Sequence, residues 1–284
     1  MSKGTCASCL DFDVDKVVKS KESLKPTWLQ KNDYVQKFIA SQPLKLRLPP
    51  SNANVEMKLK MTPEFAGRKV LYWASTQKKD KSPIIEDAKK AYHNFENSGI
   101  TQVSSSGIIT FKFACPQLYK AKRTNASNDT TFFRHMHFVV EKKGSWYPQI
   151  YTKVVICKYE LRKFVEEKNN ELTVLINALP CEYYAKDHVP NSYNLFNKDV
   201  KKMSINDLLK WFGEVIEIHY PKLHTYVKNK KIDIYEVPIV VYCAHDKCNA
   251  AELTIKELMK KGFVNIHEFS GGMKEYREKY SQDK

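Results

Sequence analysis

Pro238-Ile-Val-Val-Tyr242 is an unbroken apolar run, followed at once by Cys243-Ala-His-Asp-Lys-Cys248 and then Asn249-Ala-Ala-Glu-Leu-Thr-Ile. A short run without alternation is what a strand covered on both faces requires. Asn249 to Lys261 then carries helical spacing, with Leu253, Leu258 and Met259 expected inward and Gly262 as the stop. The cysteine loop therefore joins the carboxyl end of a buried strand to the start of a helix. Working outward, Leu172-Thr-Val-Leu-Ile176 and Val264 to Phe269 are further strands, the latter ahead of Gly271-Gly272. Ser204-Ile-Asn-Asp207 is an N-cap signal, and behind it Ile205, Leu208, Leu209, Phe212, Val215 and Ile216 share one helical face. Strand and helix alternate, which implies a parallel sheet with right-handed crossovers. Functional loops of such sheets lie at the carboxyl ends of the strands, where Cys243 stands.

That position has chemical consequences. The unpaired amides of a first helical turn, together with the helix dipole, favour a thiolate and can hold a bound anion. Cys243 is the candidate nucleophile, with Ala244, His245, Asp246, Lys247 and Asn249 as the anion loop around it. The competing explanation is a buried structural cysteine after a strand.

Cys243-Ala-His-Asp-Lys-Cys248-Asn-Ala-Ala, Gly262-Phe263, Asn265-Ile266 and Gly271-Gly272 resemble the active-site region of the rhodanese family, in the variant with a second loop cysteine. Leu175-Ile-Asn177, Pro180, Glu182-Tyr183, His188-Val-Pro190 and Asn194-Leu195 resemble its earlier strand-and-turn stretch. The resemblance implies an α/β rhodanese-like domain over 158–284 and sulfur transfer through Cys243. Rhodaneses commonly place an arginine where this chain has Cys248, and Asn177 and Leu179 replace an aspartate and an arginine. A thiosulfate anion gains from a fixed cation, so two-thiol chemistry becomes the expectation. In it Cys243 carries a persulfide that Cys248 resolves, or the pair forms a reversible disulfide. A phosphatase on this fold needs the same arginine and is set aside. A retained fold without chemistry is the alternative.

The preceding part has another pattern. Val55 to Met61 alternates apolar and polar, Lys69-Val-Leu-Tyr-Trp-Ala74 is more buried, and 107–113, 134–140 and 149–156 follow as strands. One weak helical patch spans Ile84 to Ala91, so a β-sandwich over 51–157 is expected. Residues 1–50 read as a partly helical N-terminal appendage, with a helical stretch from Trp28 to Ala40 and a lone Cys6-Ala-Ser-Cys9. His135-Met-His137 alternates on its strand, so both imidazoles share a face and suit adjacent positions on a metal. Val70-Leu-Tyr-Trp-Ala74, Ala91-Tyr92-His-Asn-Phe95, Gly107-Ile-Ile-Thr-Phe-Lys-Phe113, Pro116-Gln-Leu-Tyr119 and His135-Met-His-Phe138 together resemble the catalytic sandwich of intradiol ring-cleavage dioxygenases. That resemblance implies iron(III) held by Tyr92, Tyr119, His135 and His137. The arginine and proline that this family sets just before its histidines are replaced by Phe132, Phe133 and Arg134.

The 284-residue chain carries a formal net charge of +15. Residues 1–155 hold 26 Lys and Arg against 13 Asp and Glu, while 156–284 hold 21 against 19. The basic half suits an anionic partner, nucleic acid or an acidic protein, although a solvated lysine surface explains it equally. Seven scattered cysteines, an odd number, argue for a reducing, cytoplasmic setting over a disulfide framework. The first residues show no apolar signal core, so secretion is not expected, and lysines interrupt every run that could span a membrane. The Lys-, Asn- and Tyr-rich composition with 9 glycines is typical of A+T-rich genomes, including large DNA viruses. A virion component with silent sites is thus the second functional expectation, after sulfur transfer and before a metal-dependent dioxygenase.

Overall fold

The structure is a computed structural model, and it describes residues 32–76, 84–85, 87–122, 129–162 and 171–280. The Cys6–Cys9 pair and the first residues of the expected helix at Trp28 lie outside these. The chain forms two compact units, one through Val155 and one from Ile156.

The first unit is mostly sheet. Helix α1 (Asp33–Ser41) is capped by Asn32, whose side chain accepts the amides of Tyr34 and Val35. Its Val35 and Ile39 enter a core with Leu71, Trp73, Tyr92 and Ile100, so this described part of the N-terminal segment is built into the unit. Strands β1 (Val55–Lys60), β2 (Lys69–Ala74) and β3 (Ile84–Ile85) precede a short helix α2 (Ala88–Tyr92). Then come β4 (Ser98–Gln102), β5 (Ile108–Phe113), β6 (Leu118–Lys122), β7 (Asp129–Thr131), β8 (His135–Lys142), β9 (Ser145–Trp146) and β10 (Tyr151–Val154). The main sheet runs β10-β8-β2-β4, antiparallel, with β9 added to β8. β1 pairs with β5, and β3-β6-β7 form a small third sheet. Tyr72 of β2 reaches across to the β1–β5 ribbon: its hydroxyl donates to the Lys112 carbonyl at 2.8 Å, and its ring meets Phe111 edge-on.

The second unit holds one parallel sheet in the order β11-β15-β14-β12-β13. Its strands are β11 (Cys157–Lys158), β12 (Val174–Asn177), β13 (Ser192–Asn194), β14 (Ile239–Tyr242) and β15 (Ile266–Phe269). Helices α3 (Cys181–Lys186), α4 (Asn197–Lys202), α5 (Ile205–His219), α6 (Pro221–Lys228), α7 (Ala250–Lys260) and α8 (Gly272–Tyr280) connect or flank them. β12 and β14 are buried at every position, as their unbroken apolar runs demand. Ser204 and Asp207 close the capping box of α5, which buries Leu208, Phe212, Val215 and Ile216 but leaves Ile205 exposed. Leu253 of α7 is also exposed, because that helix turns Ala250, Ala251, Thr254, Ile255, Leu258 and Met259 inward.

One further expectation needs amendment. Cys115 and Cys157 are each disulfide-bonded, so the odd cysteine count does not leave every thiol reduced. Among the described residues no helix is long and apolar enough to cross a membrane.

Candidate functional sites

The cysteine loop is fixed from two sides. Cys243 follows β14 directly, and its carbonyl accepts the amide of Met273 at 2.9 Å while that of Ala244 accepts the amide of Lys274 at 2.9 Å. The start of α8 thus grips the loop backbone. On the other side, Asn249 stands at the N-cap of α7 without a side-chain cap bond. The orphan amides of that first turn are left for the two sulfurs. The Ala251 amide serves Cys243 and the Ala250 amide Cys248, and from within the loop the His245 and Ala244 amides add to Cys243 and Cys248 in turn.

The two thiols lie close enough to share a proton. Donating to Cys248, together with burial, pushes the Cys243 thiol well up. Accepting that bond, with the Ala244 and Ala250 amides, brings Cys248 down to about 5. The pair therefore holds its first proton weakly and its second tightly. Cys243 is buried, and its Sγ lies 3.2 Å from the Cys248 carbonyl oxygen. Cys248 is half-buried, whereas His245, Asp246, Lys247 and Asn249 are exposed. His245 Nδ1 accepts the Lys247 amide at 3.2 Å, which tightens the turn.

Beneath the loop is a polar knot that the sequence reading missed. The Tyr242 hydroxyl accepts the Val189 amide at 2.9 Å and Asn177 Nδ2 at 3.1 Å, and pairs with Ser192 Oγ at 2.8 Å. Asn177 Oδ1 takes the Leu179 amide at 2.8 Å. The one signal for it was a tyrosine ending a fully buried strand, since a buried phenol needs partners. A cavity of about 440 Å³ reaches the loop at Ala244 and His245, between α3 and α8. Its wall carries Lys186, Lys274 and Arg277, with Arg277 paired to Asp187.

In the first unit the four predicted metal-ligating residues meet. The Tyr92 hydroxyl lies 2.9 Å from the Tyr119 hydroxyl, 3.2 Å from His135 Nε2 and 2.8 Å from His137 Nε2. Tyr119 is 3.1 Å from His135 Nε2. All four side chains are buried. β8 supplies both histidines from one face, β6 supplies Tyr119, and Tyr92 closes α2. The backbone just after Tyr92 is strained: His93 and Phe95 adopt φ of 41° and 57°, the left-handed region that aromatic residues rarely enter.

Each imidazole is oriented by a partner that the sequence reading also missed. His135 Nδ1 donates to the Phe133 carbonyl at 2.5 Å, so the neutral ring turns the lone pair of Nε2 inward. His137 Nδ1 pairs with Thr152 Oγ1 at 2.9 Å, and Thr152 is its cross-strand neighbour on β10. Burial, and then His135, hold His137 well below the usual imidazole range. Burial drives both tyrosines up, Tyr92 further through Tyr119. The cluster is short of hydrogens. Four close polar contacts are served by two hydroxyl hydrogens, or by three if His137 carries its proton on Nε2. Arg134, buried beside them, donates to the Pro116 carbonyl at 2.7 Å, and burial lowers it to about 10.

Residues 159–279 match the rhodanese-like domain family, and this segment is a rhodanese-like domain. No curated protein matches the chain. Among solved structures, a human single-domain sulfurtransferase is similar at 15% identity, covering 44% of this chain and 98% of its own, with a TM-score of 0.31. A single-domain sulfurtransferase from Saccharomyces cerevisiae is similar at 17% identity, covering 47% and 98%, with a TM-score of 0.35. An intradiol ring-cleavage dioxygenase from Tetranychus urticae is similar at 15% identity, covering 57% and 68%, with a TM-score of 0.21.

Proposed function

We propose that the rhodanese-like domain transfers sulfane sulfur through the Cys243–Cys248 loop. The observation that carries this reading is the placement of Cys243 and Cys248 in one loop between the buried strand β14 and the start of a helix that has no side-chain cap. A thiolate there attacks the outer sulfur of a donor persulfide, a bond forms between the two sulfurs, and the donor departs as its own thiolate. The expected arginine is absent, and the amides take over its role of stabilising negative charge. The test is incubation of the full chain with glutathione persulfide, or with thiosulfate, followed by mass spectrometry. Either one added sulfur atom in the loop peptide, or sulfide release with a Cys243–Cys248 disulfide, is expected, and Cys243→Ser/Cys248→Ser should abolish both. An unmodified loop with both donors sinks the reading and favours the silent, partner-binding alternative for the basic half.

A second reading is favoured by the hydrogen-poor cluster in the first unit. We read that unit as a β-sandwich of intradiol dioxygenase type whose Tyr92, Tyr119, His135 and His137 hold iron(III). Two phenolates and two imidazoles are hard and borderline donors suited to ferric iron. A cation among them would replace contacts between lone pairs with bonds, and would offset the burial that keeps both phenols protonated. Bound iron would supply a Lewis-acidic position for an oxygen-bearing substrate. The protein's own part is to aim the two Nε2 atoms through Phe133 and Thr152 and to keep water out. Elemental analysis and a phenolate-to-iron absorption band decide this. A colourless protein that takes up no ferric iron would rule it out.

A further inference from the structure

The two loop thiols differ in kind, and we propose that Cys248, not Cys243, is the sulfur that takes up the transferred atom, with Cys243 as the buried thiol that then displaces it. This rests on the sulfur-transfer reading of the same loop and assigns its roles. Cys243 occupies the position that the family pattern gives to the nucleophile, yet only 3% of it is exposed. Its Sγ lies beneath the turn, 3.2 Å from the Cys248 carbonyl oxygen and 3.7 Å from that of His245. The Met273 and Lys274 amides hold the backbone carbonyls of Cys243 and Ala244 in place. Gly272 packs so closely there that a Cβ would come within 2.3 Å of the Cys243 carbonyl oxygen, which leaves the loop no slack.

Cys248 has the opposite setting. It sits on the outer limb of the turn, half-buried, one residue before the N-cap of α7. Its sulfur accepts the Ala244 and Ala250 amides and the Cys243 thiol, so negative charge is held where a donor can reach it. Cys243 is then both the proton source beneath the thiolate and the resolving group.

The chemistry balances in two steps. The Cys248 thiolate attacks the outer sulfur of a donor persulfide R–S–SH. The Cys248 S–S bond forms, the donor's S–S bond breaks, and RS⁻ leaves. The Cys243 thiol then attacks the Cys248 sulfur of Cys248–S–SH. A Cys243–Cys248 disulfide forms and H2S departs with the two protons. The sulfane sulfur is reduced to sulfide, and the two cysteines are oxidised. Two equivalents of a small thiol reset the loop by ordinary exchange.

The test uses the full chain in a Cys181→Ser background, because Cys181 is an exposed free thiol that would also react. With glutathione persulfide as donor, Cys243→Ser should trap one extra sulfur on Cys248, located by peptide mapping. The parent should release sulfide and end with the loop disulfide. Cys248→Ser should do neither. Brief iodoacetamide treatment of the parent at about pH 6 guards against a misfolded variant, since at that pH only a thiol of depressed pKa is appreciably ionised. Cys248 should be modified first. Extra sulfur on Cys243 in the Cys248→Ser protein, or first alkylation at Cys243, overturns the assignment and leaves sulfur transfer standing. No uptake by the parent or either variant overturns both.

Discussion

Gly272 sits against the backbone of Cys243 with no room for a side chain: a Cβ there would lie 2.3 Å from the Cys243 carbonyl oxygen and 2.8 Å from the Ala244 carbonyl carbon. Its φ of 58° is also one that L residues avoid. Gly272→Ala therefore meets backbone, which cannot rotate away, and must push α8 off the cysteine loop. A loss of roughly 1–3 kcal/mol is expected from such backbone strain. Sulfur uptake should fall with it, because the Met273 and Lys274 amides no longer hold the loop. Thermal unfolding and an uptake assay on one preparation check both, and unchanged values for this variant would mean that the contact is not needed.

The pH profile of alkylation is a sharper test of the shared proton. Cys248 is lowered to about 5, first by the Cys243 thiol and then by the Ala244 and Ala250 amides. Below that value the sulfur is protonated and slow, and above it the rate reaches a plateau. From about pH 4 downward the rate should drop about tenfold per unit, as for any single titrating thiol. Cys243→Ala removes the strongest of these bonds, so the midpoint should move up toward the ordinary thiol value of about 8.5. A midpoint that stays put in that variant would show the amides alone to be sufficient.

For the first unit, Thr152→Val distinguishes a metal centre from a plain polar cluster. Thr152 does not belong to the donor set; it steadies His137 from the neighbouring strand at 2.9 Å. Losing such a partner costs metal affinity about 10- to 100-fold. Tyr119→Phe and His137→Ala should remove ferric iron and its absorption band entirely. Measured by iron titration with optical detection, the expected order is parent, then Thr152→Val, then the two ligand variants. Equal, weak uptake by all four would leave no metal centre at these residues.

Much of this was legible because it follows from chemistry that is local in sequence. The strand over Lys69–Ala74 and the Ser204 capping box depend on neighbours a few residues away, and the structure has them at those positions. The strand Ser98–Gln102 was missed because its polar residues and Gly99 look like a loop. The glycine is there for a distant reason: a Cβ would lie 2.3 Å from the Tyr72 hydroxyl. Leu253 was expected inward on periodicity, but α7 approaches its sheet through Ala250, Ala251 and Thr254, and small residues leave no periodic signal. Spacing drew attention to Cys243, Cys248 and the His135-Met-His137 pair. It could not assign roles, since burial and hydrogen bonding come in part from β10 and α8, which are separate stretches of chain.

Thr254 offers a test of the packing behind the cysteine loop. It lies on the inner face of α7, one turn beyond Ala250 and Ala251, and is fully buried. Its Oγ1 has no hydrogen-bond partner among the described residues. Placing a hydroxyl there without a partner costs about 1–3 kcal/mol of desolvation. Valine has nearly the same shape and a helix propensity close to that of threonine, so Thr254→Val removes the penalty of the unpaired hydroxyl. A gain of about 1 kcal/mol is expected for the unfolding transition of the second unit. Thr254→Ser is the counter-test: it keeps the hydroxyl, deletes a buried methyl and should lose about 1 kcal/mol. Urea unfolding followed by circular dichroism separates the two. If valine is the destabilising substitution, the hydroxyl has a partner, and α7 then depends on a polar contact rather than on apolar packing alone.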